Sequence, residues 1–324
     1  MSVLIIILLV GFACLIKGAD LFVDGSSGLA RLFHVPALII GLTIVALGTS
    51  APELAVSVSA SIQGSNEIAL SNVLGSNIFN LLVVLGCCAL LYPVPVDNPI
   101  LKRDFPVSVA ATLFLLLSIG IKSFFQAGFF SLNMDQDVAI VTRFIGLILF
   151  LAFLLYLFIL IKNARKDSDT NYEGEELPLW KCLIYIGIGV AAIVIGGKMV
   201  VYSAKGIASA FGMSETLIGL TVVAVGTSLP ELVTSLVAAH KKETGLAIGN
   251  VLGSNIFNLM FILGISSMLH PVAVNVASVY DLVILLFVSI LTWFFAIEKK
   301  SVNRLEGLLM VAVYVGILIF AIIR

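Results

Sequence analysis

Residues 41–57 read GLTIVALGTSAPELAVS, and residues 219–235 read GLTVVAVGTSLPELVTS. Each stretch is apolar enough for a bilayer interior, yet each carries a proline and a glutamate in its middle. They lie at an offset of 178 residues and agree at 12 of 17 positions. A second stretch, NVLGSNIFNL, occurs unchanged at 72–81 and 250–259, at the same offset. Matched stretches without insertion or deletion between them mark an internal duplication. Any fold for this chain must therefore place a helix breaker and a carboxylate inside apolar surroundings twice.

Those surroundings are a membrane. Of 324 residues, 60% are hydrophobic and 11% charged, and the mean hydropathy is +1.16. A soluble domain of this size could not cover so much apolar surface. A net charge of −1 gives no general pull toward nucleic acid, which excludes that class of partner. Cys14, Cys87, Cys88 and Cys182 lie in or beside apolar runs without metal-ligand spacing, and read as small core residues. The first apolar run, 3–16, has no basic leader and continues into Lys17 and Asp20, so it reads as part of a span rather than a cleaved signal.

Apolar windows fall at 2–30, 36–60, 68–91, 105–121, 141–161, 179–210, 215–239, 246–269, 279–297 and 305–323. The expectation is an all-α membrane protein of ten transmembrane helices. The first and sixth windows would be about 45 Å long against a bilayer core of about 30 Å, so they should tilt. Residues 162–178 are charged and carry Gly and Pro; they read as a cytoplasmic linker between residues 1–161 and 179–324. With the N-terminus outside, the inner loops hold twelve Lys and Arg and the outer segments three (Lys122, Arg143, Arg324), with Lys17, Lys198 and Lys205 inside the long spans. The positive-inside rule then puts both termini outside. Each half holds five spans, an odd number, so the duplicated halves enter the membrane in opposite senses. Such inverted five-helix repeats place a transport site near the midplane, where the halves meet.

The motifs supply cation chemistry. Proline has no N–H, so Pro52 frees the carbonyl of Gly48 and Pro230 that of Gly226. Freed carbonyls in a bilayer need a partner, and a cation provides one. The hydroxyls of Thr49, Ser50, Thr227 and Ser228 add oxygens, and Glu53 and Glu231 add charge. A carboxylate at the bilayer centre costs at least ~2–3 kcal/mol, and two together repel; a divalent ion answers both. An oxygen-only set suits Ca²⁺ rather than Mg²⁺, and the absence of His and Cys from the motifs argues against Zn²⁺ or Cu. Gly75-Ser76-Asn77 and Gly253-Ser254-Asn255 offer small residues for close helix approach. Ser76 and Asn80 share a helix face, as do Ser254 and Asn258, and both pairs can point at the glutamates.

These residues resemble the calcium/cation antiporter superfamily, and within it the prokaryotic sodium/calcium exchanger type. The two alpha repeats of that family correspond to 41–81 and 219–259, and the GTSxPE form favours the sodium-coupled branch. The resemblance implies a Ca²⁺ site built from Glu53, Glu231 and the carbonyls of Thr49 and Thr227. It implies Na⁺ sites at Ser50, Ser228, Ser76 and Ser254 with carbonyls of Ala46 and Ala224, and a central polar pair, Asn80 and Asn258. It also implies that spans one and six slide as a gating pair against the other eight. Exchangers of this type often carry Asp where Asn258 stands, which leaves two carboxylates here and keeps sodium stoichiometry and proton coupling open.

The expected protein is thus not an enzyme and needs no cofactor. It acts as a monomer in the inner membrane of a prokaryote, exchanging Na⁺ for Ca²⁺ across the lipid bilayer. The alternatives are a H⁺/Ca²⁺ antiporter and, more remotely, a cation channel, which one site per chain disfavours. An intramembrane hydrolase lacks a His or Lys partner for its serine and a G-x-S-x-G elbow. Asp20 and Asp24 read as interfacial lysine partners, Asp281 and Glu306 as helix-end charges, and Phe124, Phe125, Phe129 and Phe130 as an interfacial belt.

Overall fold

The fold is seen in a computed structural model that describes residues 2–63, 66–119, 134, 136–164, 177–212 and 224–323. Two buried helices form its centre. In the 18-residue apolar stretch of helix α4 (Ile68–Leu91) 78% of the residues are buried and in that of α10 (Thr244–Leu269) 94%, against a third or less in the corresponding stretches of the long outer helices. Both central helices are mainly apolar, as a helix surrounded by others must be, but each carries buried Ser and Asn, among them Ser76, Asn77 and Asn80 on α4 and Ser254, Asn255 and Asn258 on α10. Both also widen into a π turn in mid-length, at Asn80–Val84 and Phe257–Ile262, next to the duplicated Asn.

Around them stand α1 (Ser2–Leu32), α2 (Ala37–Thr49), α3 (Ala51–Ile62), α5 (Phe105–Ile119), α6 (Arg143–Ala164), α7 (Leu179–Ala210), α8 (Ala224–Thr227), α9 (Leu229–His240), α11 (Val276–Lys299) and α12 (Arg304–Ile323). Among the described residues seven helices are long and apolar enough to cross a membrane, or eight if the bent α2–α3 pair is one span. Helices α5 and α8 border residues 120–133 and 213–223, which lie outside the described residues, as do Lys122, the Phe124–Phe130 belt and most of the 162–178 linker. Among the described residues four short strands depart from a purely helical chain. β1 (Val94–Pro95) pairs antiparallel with β4 (Ser301–Val302), and β2 (Asp137–Val141) with β3 (Val272–Asn275). Val141, read as the start of a span, is the last residue of β2, and the helix begins at Arg143. Strands of two to five residues are too short to print an alternating pattern.

Glycine sets how closely the helices approach. Gly11, Gly18 and Gly25 on α1 are seven residues apart, as are Cys182, Gly189 and Gly196 on α7. The two helices run in opposite directions, so 11 meets 196, 18 meets 189 and 25 meets 182. A Cβ at Gly18 would lie 3.0 Å from the Gly189 carbonyl, and one at Gly189 would lie 2.8 Å from the Gly18 carbonyl. Helix α2 is held against α10 in the same manner, where a Cβ at Gly253 would lie 2.7 Å from the Leu42 backbone. Gly75, expected to do likewise, meets nothing within 4 Å among the described residues. Aromatic packing closes the outer contacts, with Phe257 stacked on Phe261 at 4.6 Å and Phe79 edge-on to Tyr314 at 5.4 Å.

One end of α1 is tied by charge. Lys241, at the end of α9, sits 2.6 Å from Asp20 and 2.7 Å from Asp24, and Arg31 sits 3.2 Å from Glu243. Asp20 and Asp24 are therefore lysine partners, as read from the sequence. Glu306 accepts the Asn303 N–H at 2.7 Å, the helix-end role expected of it. The four cysteines are all free thiols.

Two outcomes follow. Gly189→Leu should lower the thermal midpoint in detergent by the equivalent of about 1–3 kcal/mol, the usual cost of overpacking. Gly187→Leu, where a Cβ meets nothing within 4 Å, should not; equal losses would refute the close-contact account. Burial opposes the charge on Lys241, but bonds to Asp20 and Asp24 outweigh it and raise its pKa. A raised pKa stabilises the fold below the unfolded value and loses that effect as pH climbs through the folded one. Lys241→Met should thus cost about 0–1 kcal/mol per lost pair from neutral pH to about pH 10, and progressively less above it. A cost that grew with pH in a melting series would contradict the pairing.

Candidate functional site

Each GTSxPE stretch folds as a helix end followed by a new helix. Ser50 takes φ −83° and ψ 9° and Ser228 φ −92° and ψ 7°, which stops one helix and starts the next. Pro52 and Pro230 occupy the first turn of α3 and α9, where a missing N–H does no harm. The carbonyls four residues back, Gly48 and Gly226, lose their normal donor. Helices α2 and α3 meet at a bend of 50°. Glu53 and Glu231 thereby fall in the first turn of their helices, where free N–H groups offset negative charge.

The two copies then reach across to each other. Ser50 Oγ donates to Glu231 Oε1 at 2.8 Å, and Ser228 Oγ donates to Glu53 Oε1 at 3.4 Å. Each glutamate is thus held by the serine of the opposite motif, more tightly on one side than the other. Ser76 Oγ also donates to Glu53 Oε1 at 3.4 Å, while Ser254 Oγ has no partner among the described residues. Of the two GSN serines, Ser76 alone hydrogen-bonds a glutamate among the described residues. Thr49, Ser50, Glu53, Asn80, Ser228, Glu231, Ser254 and Asn258 are all wholly buried. Thr227 closes α8 and is part-buried. Ala46 is buried, and its carbonyl accepts the Ser50 N–H at 3.0 Å; Ala224 opens α8.

Five buried oxygens in this cluster have no hydrogen-bond partner among the described residues: Glu53 Oε2, Glu231 Oε2, Asn80 Oδ1, Asn258 Oδ1 and Ser254 Oγ. Buried polar atoms are ordinarily paired, at a cost of about 1–3 kcal/mol each when they are not. Five together, all oxygen and drawn from both copies, make an acceptor set for a hard cation. A cavity of about 640 Å³ reaches the two motifs at Pro52, Gly226, Thr227 and Pro230 and is otherwise walled mainly by apolar side chains such as Val56, Val194 and Val201.

The model of the sodium/calcium exchanger protein family matches residues 3–162 and 181–323. The chain belongs to the sodium/calcium exchanger family. The putative antiporter CaxA of Alkalimonas amylolytica is 37% identical over 98% of both chains. The sodium/calcium exchanger MaX1 of Methanosarcina acetivorans is 36% identical over 97% of both. Structures of the sodium-calcium exchanger NCX_Mj superpose with a TM-score of 0.81 at 31% identity, covering 100% of each chain. Exchangers are transporters, and this member is a multi-pass membrane protein of the cation/Ca²⁺ exchange class rather than an enzyme.

Around the exchanger's carboxylates lies a layer of asparagines that the sequence reading passed over. Asn250 accepts from the Thr49 hydroxyl at 2.9 Å and donates to Ser235 Oγ at 2.9 Å and to the Glu231 carbonyl at 3.4 Å. Asn72 donates to Ser57 Oγ at 3.0 Å and to the Glu53 carbonyl at 3.3 Å. The signal was available, because Asn72 and Asn250 occupy the same place in the two identical stretches. Ca²⁺ should raise the thermal midpoint of the purified protein, by the equivalent of about 2.7 kcal/mol at a hundred times its dissociation constant. Chelation should reverse the rise, and Glu231→Gln should remove it. A midpoint indifferent to Ca²⁺ would argue against a cation centre here.

Proposed function

We propose that the chain exchanges Na⁺ for Ca²⁺ by alternating access at this buried centre. The observation that carries the reading is the set of five unpartnered oxygens, two of them carboxylate, shared between the duplicated motifs. Glu53, Glu231 and the carbonyls of Thr49 and Thr227 bind Ca²⁺. Ser50, Ser228, Ser76 and Ser254 with the carbonyls of Ala46 and Ala224 bind Na⁺, and Asn80 and Asn258 stand between. The names of MaX1 and NCX_Mj, both sodium/calcium exchangers, favour Na⁺ over H⁺ as the coupling ion.

The architecture we infer is ten spans in two inverted five-helix repeats, 1–161 and 179–324, joined by 162–178. Support comes from matched features on the two halves. π turns follow Phe79 and Ile256, and Gly86 and its counterpart Gly264 each meet the backbone of an outer helix, at Gly307 and Gly146. The excess of inner Lys and Arg supports termini on the outside, and the relative named inner membrane protein YrbG of Escherichia coli, 37% identical over 88% of this chain, supports the prokaryotic inner membrane. A single chain supplies both halves of the centre, so a monomer suffices.

Exchange rather than leak follows from charge. Two bare carboxylates cannot cross a low-dielectric barrier unaccompanied, so the centre changes sides only when loaded. Proteoliposomes loaded with Na⁺ should take up ⁴⁵Ca²⁺, and Glu53→Gln or Glu231→Gln should abolish uptake without loss of the folded protein. Uptake driven by a pH gradient without Na⁺ would transfer the chain to the proton-coupled branch. Normal flux in either mutant would refute the site.

A further inference from the structure

Four asparagines meet where α4 faces α10. Asn77 Nδ2 donates to the Asn255 carbonyl at 3.1 Å, and Asn255 Nδ2 donates to the Asn77 carbonyl at 3.2 Å. A backbone carbonyl only accepts, so these two bonds decide which side of each amide is nitrogen. The remaining oxygens are then committed. Asn255 Oδ1 accepts from Asn80 Nδ2 at 3.2 Å, and Asn77 Oδ1 accepts from Asn258 Nδ2 at 3.1 Å. An amide oxygen also only accepts, so Asn80 and Asn258 must turn their nitrogens to this clasp. Their own oxygens are what is left over, and these are the buried, unpartnered Oδ1 atoms of the candidate centre.

The geometry points to Asn77 and Asn255 as positioning residues that hold the amides of Asn80 and Asn258 with oxygen, not nitrogen, available to the transported cation. The inference rests on the cation-site reading above and assigns a task to two residues outside the proposed ligand set. The task matters because an amide has two faces of opposite sign. Rotated by half a turn, the same side chain presents N–H hydrogens and repels a cation. The clasp also accounts for Asn at 258. An ionised Asp there would have no hydrogen to give, and would set oxygen against the Asn77 oxygen.

A staple that merely joins α4 to α10 would use the same bonds, so the test must read orientation. Ca²⁺ affinity is measured by calorimetry on the purified full chain in a double-mutant cycle. Asn77→Ala removes the acceptor for the Asn258 amide and should weaken Ca²⁺ binding about tenfold. In an Asn258→Asp background the side chain has two equivalent oxygens and needs no orienting. Asn77→Ala should there cost less than about threefold, or improve binding by removing the facing oxygen. The mirror cycle, Asn255→Ala with Asn80→Asp, reads the same inference from the other half if the first variant does not fold. Equal factors in both backgrounds overturn the positioning role and leave a staple. A parent chain that binds no Ca²⁺ overturns the proposed function instead.

Discussion

The whole molecule is organised around two carboxylates that cannot stand alone in a bilayer. A carboxylate at a bilayer centre costs at least ~2–3 kcal/mol, and two close together repel. The structure meets that cost in three ways. Helix N-termini face Glu53 and Glu231, because Ser-x-Pro starts a helix two residues ahead of each glutamate. Serines from opposite motifs donate to them. The third is the one we propose, a cation at the oxygen of each carboxylate that has no hydrogen-bond partner among the described residues.

The rest of the fold protects that arrangement. A broken helix at membrane depth is tolerable only where protein surrounds it. The two most buried spans, α4 and α10, provide the cover, and glycine lets α2 lie almost backbone to backbone on α10. Side-chain amides add bonds beside the breaks, as Asn250 does by donating to the Glu231 carbonyl and accepting from the Thr49 hydroxyl. The duplication makes this economical in sequence, since one solution to the problem of a breached helix serves twice.

Much of this was legible from the residues. The repeated GTSxPE places the break, the carboxylate and the hydroxyls, and the structure brings these groups together. Other features left no readable signal. Asn77 and Asn255 were visible as identical positions, but spacing does not say whether an asparagine faces a cation or another asparagine. The short strands β1 to β4 are stabilised by partners remote in the chain, so no local pattern announces them. Nor does the motif foretell that the matched contacts differ in length, 2.8 Å for Ser50 to Glu231 and 3.4 Å for Ser228 to Glu53, since Ser and Glu stand at the same places in both copies.

The ion pairs on α1 are not duplicated. At the offset of 178, Asp20 corresponds to Lys198 and Asp24 to Tyr202, and among the described residues every ion pair of α1 lies in its second half. Those pairs are part-exposed, within reach of dissolved ions whose screening length is about 8 Å at physiological ionic strength. The packing of α1 against α9 at this end should therefore loosen as ionic strength rises, whereas the glycine contacts of α1 with α7, which involve no charge, should not respond.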